Sequence, residues 1–217
     1  MTTHGYRGKL IVFEGIDGAG TTTQAERYAE HVRQQRRLIH VTRQPSDGPI
    51  GSMLRLALSG RLQLGASNQA QTMALLFAAD RLDHLAHEIE PLLRDGYVVV
   101  CDRYDLSSLA YQTATAPAAA LESFDFAAWV RSLNRFALRP DATLVIDVSS
   151  AEAEKRRRAR LAATELYERV ELQETLAGLY ARAEELVPHD LVLHVDGEAP
   201  VDDVFAAVCA QLADVIA

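Results

Sequence analysis

The chain has 217 residues, 48% apolar and 24% charged, the profile of a soluble globular protein able to bury about two-thirds of its unfolded surface in one domain, 1–217. Its 30 acids outnumber its 22 bases for a net charge of −8, which argues against general nucleic-acid binding, since that needs a basic face. No apolar run approaches the roughly 20 residues needed to span a membrane, and the polar start, Met1 to Lys9, holds no secretory apolar core, so a cytoplasmic protein is expected.

In chain order, Leu10–Phe13 reads as a buried strand. A glycine-rich turn follows, then a helix over Thr22–Arg37 with Ala25, Tyr28, Ala29 and Val32 at helical spacing. A weaker strand covers Leu38–Thr42. The next helix is predicted over Ala70–Arg94, its face drawn through Leu75, Leu76, Ala79 and Leu82. Tyr97–Cys101 is a strand, and the Ala-rich stretch Thr113–Ala120, broken by Pro117, is a loop or helix edge. Helix Phe124–Leu138, strand Thr143–Val148, helices Ala151–Ala163 and Tyr167–Val187, strand Leu191–Val195 and helix Val201–Ile216 complete the set. The strands other than Leu38–Thr42 are nearly continuous apolar runs, as in a parallel sheet covered on both faces. Strand and helix alternating five times predict a three-layer α/β domain with right-handed crossovers, with ligands at the carboxyl ends of the strands. Cys101 and Cys209 match neither zinc nor CxxC spacing and are expected to be buried small hydrophobes in a reducing compartment.

The turn after the first strand is Gly15-Ile16-Asp17-Gly18-Ala19-Gly20-Thr21-Thr22-Thr23. It follows the phosphate-loop pattern GxxxxGK[ST] with one letter changed: Gly15 and Gly20 have the required spacing, Thr22 holds the magnesium-binding hydroxyl position, and Thr21 stands where a lysine belongs. The glycines let successive N–H groups point at phosphate oxygens, and the helix N-terminus adds partial positive charge. The other reading is a glycine-rich turn before an N-capped helix. Only two bases in the whole chain, Lys9 and Lys155, are lysines.

The stretches FEGIDGAGTTTQ (Phe13–Gln24), TRQP (Thr42–Pro45), LLFAADRLDH (Leu75–His84), CDRYDLSSLAYQ (Cys101–Gln112), LVIDV (Leu144–Val148), RRRAR (Arg156–Arg160) and YERVEL (Tyr167–Leu172) together resemble thymidylate kinase, in order and across essentially the whole chain. The lid arginines, beside a phosphate loop that holds no arginine, are similar to those of its bacterial members, so the resemblance implies a bacterial origin, with a degenerate phosphate loop that lacks the usual lysine. The resemblance implies a P-loop kinase fold with a five-stranded parallel sheet, flanking helices, a phosphate loop over 14–23 and a mobile lid over about 151–170. It implies transfer of the ATP γ-phosphate to thymidine monophosphate with magnesium, toward thymidine triphosphate synthesis, by a homodimer packed through helices.

By that resemblance, Gly15, Gly18, Ala19, Gly20, Thr21, Thr22, Thr23 and Arg157 hold the ATP phosphates. Thr22, Asp102 and Glu168 serve the metal; an acid at a strand end opposite a phosphate loop suits that role. Arg103 clamps the acceptor phosphate as a bidentate fork. Asp17 faces that phosphate and positions the attacking oxygen, which is already ionised. Phe77 and Arg81, four apart on one helical face, stack on thymine and bond to it. Ser107 and Ser108 line the base pocket, Tyr111 packs on the deoxyribose, Gln112 lies nearby, Arg43 approaches the phosphate and Tyr167 nears the sugar. An acid usually stands at the position of Gln44, and the Gln44–Pro45 bond is a candidate for cis. Arg156 and Arg160 share a face beside Arg157, so the lid could compensate for the missing lysine as an arginine finger does, with part of Arg156, Arg157, Arg158 and Arg160 turned to solvent. Two rival functions remain: a kinase for another deoxynucleotide or nucleoside, and a nucleotide-binding pseudokinase.

Overall fold

The computed structural model describes residues 4–116, 124–159 and 170–216; Arg160, Tyr167 and Glu168 lie outside them. Five parallel strands form one sheet: β1 (Lys9–Glu14), β2 (Ile39–Arg43), β3 (Val98–Asp102), β4 (Ala142–Asp147) and β5 (Val192–Asp196), in the order β2-β3-β1-β4-β5. The register sets Phe13 beside Asp102 and Leu144, Arg43 beside Asp102, and Asp147 beside Asp196, so all the carboxyl ends meet along one edge. The sheet is covered on both faces. Ile11 and Phe13 point into a core with Ala25, Tyr28 and Val208, while Leu10 and Val12 pack against Leu85, Ile89 and Leu93. This is period-2 alternation in a strand buried on both sides. The edge strands β2 and β5 are only partly buried, so the expectation that Leu191–Val195 is covered on both faces is corrected, while the weaker apolar signal at Leu38–Thr42 fits its place at the edge.

The helices are α1 (Thr21–Gln34), α2 (Pro49–Leu58), α3 (Gln69–His84), α4 (Glu90–Arg94), α5 (Asp105–Ala114), α6 (Phe126–Leu133), α7 (Ser150–Ala159), α8 (Val170–Tyr180), α9 (Ala183–Leu186) and α10 (Val201–Leu212). Four points differ from the sequence expectation. Helices α2 and α5 were not foreseen; α2 starts with Pro49 at its first turn, and Gly51 lies so close to the Ser46 carbonyl that a side chain would not fit. The long helix predicted to Arg94 passes through a π turn at Leu85–Ile89. Cys101 is buried as expected, but Cys209 is only partly so.

The fourth concerns α3. Of its expected inward face, Leu75 is 51% and Leu82 is 40% exposed, and Ala79 is exposed too. The buried side carries Met73, Ala74, Ala78, Asp80, Arg81 and His84. Leu76 alone of that face is partly buried, against Leu54 and Met73. The helical period is right and the face is otherwise reversed, because polar side chains on the inward face are paid for by hydrogen bonds that a hydrophobicity pattern does not register.

Candidate functional site

β1 ends at Glu14 and runs into the glycine loop. Gly18 and Gly20 have φ of 95° and 97°, the left-handed region that favours glycine. Gly18 meets a second constraint: a Cβ there would lie 2.6 Å from the Ala153 carbonyl oxygen and 3.2 Å from Arg157 Cγ, so α7 rests directly on the loop. Thr21 is turned inward and only 6% exposed. Thr22 Oγ1 donates to Asp102 Oδ2 at 2.5 Å, while Asp102 Oδ1, also buried, has no hydrogen-bond partner among the described residues. A hydroxyl and a free carboxylate oxygen beside a phosphate loop are hard donors suited to magnesium, which binds through one or two carboxylates with phosphates and water completing its shell. No group of three or more His, Cys, Asp or Glu ligands occurs among the described residues.

Two of the expected lid arginines reach the loop. Arg156 donates to the carbonyls of Ala19 (3.3 Å) and Gly197 (2.9 Å), with its Nε held by Glu152 at 3.1 Å. Arg157 Nη1 donates to the Asp17 carbonyl. Arg158 instead pairs with Glu154 and is 77% exposed. The neighbours diverge because successive helical side chains are about 100° apart.

On the other side of the loop stands Arg103, in left-handed backbone (φ 69°), which is uncommon for a residue with a side chain. Its N–H donates to the Phe13 carbonyl at 2.8 Å. Its Nη2 meets Asp17 Oδ1 at 2.6 Å, and its Nη1 donates to the Gly15 carbonyl (3.0 Å) and Ser107 Oγ (3.2 Å). Burial works against this guanidinium's charge, but the surrounding Tyr111, Asp17, Tyr180 and Asp102 outweigh it and raise its pKa well above the ordinary value. Behind it Glu14 is fully buried and accepts from Tyr104 N (2.8 Å), Ser107 N (3.1 Å), Ser107 Oγ (2.6 Å) and Tyr180 OH (3.1 Å). The carboxylate thus caps the N-terminus of α5. Burial raises the Glu14 pKa despite the opposing pull of Arg103 and of these donors.

A cavity of about 150 Å³ opens beside Arg103. Asp17, Phe77, Arg81, Arg103, Ser107, Ser108, Tyr111 and Gln112 line it, together with Gln44, Pro45, Leu58 and Tyr104. Arg81 is buried and donates to Asn134 Oδ1, to the Tyr104 carbonyl (2.8 Å) and to Ser108 Oγ (3.0 Å). The Ser107 hydroxyl is committed to Glu14, so Ser108 is the serine on the Arg81 side. Arg43 is placed elsewhere: its exposed side chain lines the neighbouring hollow with Thr22 and Asp102 and pairs with Asp47 at 3.5 Å. Gln44 takes its place in the cavity wall, and the Gln44–Pro45 bond is cis, as expected. The loop behind is pinned by Asp80, which accepts from Ser46 N (2.8 Å) and Ser46 Oγ (2.6 Å), and by His84, whose Nδ1 lies 3.3 Å from Gln44 Nε2. Burial lowers the His84 pKa, against the pull of Glu88 and Asp80.

Sequence reading missed Glu14, Gln173 and Tyr180 as parts of this site. For Glu14 a signal existed: it closes a strand of apolar residues, inside the FEGIDG stretch, where a buried acid needs a reason.

A family model described as Thymidylate kinase matches residues 13–208. The chain is 36% identical over 205 residues to a probable thymidylate kinase of Pyrococcus horikoshii, covering 94% of this chain and 95% of that protein. It is 37% identical over 205 residues to one of Pyrococcus abyssi, with 94% and 95% covered, and 40% identical over 178 residues to one of Methanococcus vannielii, with 82% and 79% covered. These relatives are archaeal and lend no support to the expected bacterial origin.

Proposed function

The chain belongs to the thymidylate kinase family, and on that premise we propose that it transfers the γ-phosphoryl group of ATP to thymidine monophosphate, giving ADP and thymidine diphosphate for thymidine triphosphate synthesis. The observation that carries the reading is one cavity at the carboxyl edge of the sheet, in which Arg103 joins the phosphate loop to Phe77, Arg81, Ser108, Tyr111 and Gln112. Arg103 clamps the acceptor phosphate, and Asp17 orients both that guanidinium and the attacking phosphate oxygen. That oxygen is already ionised, so positioning and charge stabilisation do the chemistry. Phe77 stacks on thymine, Arg81 and Ser108 bond its edge with Gln112 beside them, Tyr111 packs on deoxyribose, and Ser107 supports Arg103.

The backbone from Gly15 through Gly18, Ala19 and Gly20 to Thr21, Thr22 and Thr23 takes the ATP phosphates. Thr22 and Asp102, joined by Glu168 according to the family resemblance, would hold magnesium, which neutralises charge on the phosphates. Arg156 and Arg157 already lie against the loop whose lysine position holds Thr21, and with Arg160 they supply the missing positive charge. Tyr167 approaches the sugar, and Arg43 acts at the rim. The exposed apolar side chains Leu75 and Leu82 of α3, with Met53 and Leu56 of α2, support a homodimer packed through these helices. No helix among the described residues is long and apolar enough to cross a membrane, and both cysteines are free, which fits a reducing cytoplasm.

A coupled assay with thymidine monophosphate, ATP and magnesium tests the reading: product forms if it is right, and none at saturating nucleotide overturns it. Thr21 favours a second reading, a protein that binds both nucleotides without turnover. Thermal shifts with each nucleotide and no product would establish that one. An acceptor panel in which another nucleotide outruns thymidine monophosphate would redirect the substrate.

A further inference from the structure

Helix α8 sends three side chains inward along one stripe: Gln173, Leu176 and Tyr180. Leu176 is ordinary core. The other two are polar, fully or almost fully buried, and aimed at charged groups of the site. Gln173 Nε2 donates to Asp17 Oδ2 at 3.2 Å, the carboxylate oxygen that Arg103 does not use. The Tyr180 hydroxyl donates to Glu14 Oε2 at 3.1 Å, lies 2.9 Å from Ser107 Oγ, and lies 3.5 Å from Arg103 Nη1. The seven-residue spacing puts the two contacts on one helical face, at opposite ends of the Asp17–Arg103 pair.

Placing an amide and a phenol in a core costs free energy that leucine and phenylalanine would not, so packing alone does not explain these residues. Arg103 has a rare backbone conformation, and its guanidinium is bordered by Ser107, Tyr180 and Glu14 behind them, with the Tyr111 ring beside it. Asp17 sits on a glycine loop with little rigidity of its own. Resting on the kinase reading, we propose that Gln173 and Tyr180 are positioning residues for the acceptor-phosphate clamp. Gln173 fixes the rotation of the Asp17 carboxylate, and Tyr180, with Glu14 and Ser107, fixes the guanidinium plane of Arg103. Neither touches substrate.

The test uses the full chain with Tyr180→Phe and Gln173→Leu, which keep the packing volume and remove the polar contact. Kinetic constants are measured for each nucleotide separately, beside a thermal melt. Loss of a hydrogen bond to a charged group predicts a fall of about tenfold in kcat/KM for thymidine monophosphate, with KM for ATP within about twofold. A change of less than about twofold overturns the proposal. So does a parallel rise in both KM values with a lowered melting temperature, which marks a purely structural role. If the wild-type protein turns over no thymidylate, the kinase reading fails by itself. Calorimetric titration with thymidine monophosphate then decides the positioning role: about tenfold weaker binding in the variants supports it, and unchanged affinity overturns it.

Discussion

In the acceptor cavity the charged groups are buried or half-buried and held by several partners, Arg103 by Asp17, Gly15 and Ser107, and the buried Arg81 by Asn134, Tyr104 and Ser108. At the phosphate loop the pattern is different. The loop offers backbone N–H groups and three threonines, and the arginines that rest on it, Arg156 and Arg157, come from α7, a helix distant in sequence. The acceptor side is preorganised by side chains fixed in the core. The donor side borrows its charge from side chains that lie on its surface. On the proposed reading, a binding surface built the first way tolerates little substitution, whereas the second keeps a source of charge without a lysine at position 21.

The sharpest way to break that comparison is Arg103→Ala. It removes the cation paired with Asp17 and acting on Glu14, and kcat/KM for thymidine monophosphate should fall by about a thousandfold. If KM for ATP rises as far as KM for thymidine monophosphate, the two regions are not separable. Next is the double change Arg156→Ala with Arg157→Ala, expected to lower turnover by about a hundredfold, by analogy with the loss of a transition-state charge donor. Arg158→Ala should stay within about twofold, as a solvent-facing pair contributes little. Equal rates for the double variant and wild type would end the idea that α7 compensates. Thr21→Lys should leave turnover within about tenfold of wild type in either direction, since charge is already supplied; abolished activity would show that the arginines and a lysine compete for one space.

The smallest effect concerns stability. His84 lies behind the cavity lip, and its folded pKa is below its ordinary 6.5, chiefly through burial. The unfolded chain therefore binds more protons in this range, so the stability contributed by neutral His84 is present above pH 6.5 and is lost as pH falls below it. Urea denaturation at about pH 7.5 and about pH 5.5 should show a smaller loss in His84→Gln than in wild type. An equal loss would place the titrating group elsewhere.

The β1, β3 and β4 strands were readable because they are buried on both faces, and a doubly buried strand leaves a run of apolar letters. β2 was faint because an edge strand needs no such run. The phosphate loop was readable from glycine spacing, since backbone geometry there demands glycine. The cavity residues were recognised through motif resemblance. Composition and period would have assigned Arg81 to the surface and Leu75 to the core, and the structure reverses both.

What the sequence determined by itself is therefore what local chemistry dictates: strand order along the chain, the glycine turn, and the residue types at the site. Tertiary structure alone decided which face of α3 turns inward, that Glu14 caps α5 across the sheet edge, that Arg156 and Arg157 lean on the loop while Arg158 does not, and that Gln173 and Tyr180 reach the clamp. The reason is physical. A buried polar side chain is stable only with its partners, and those partners lie as far as 166 residues away in the chain, where no window of sequence contains both.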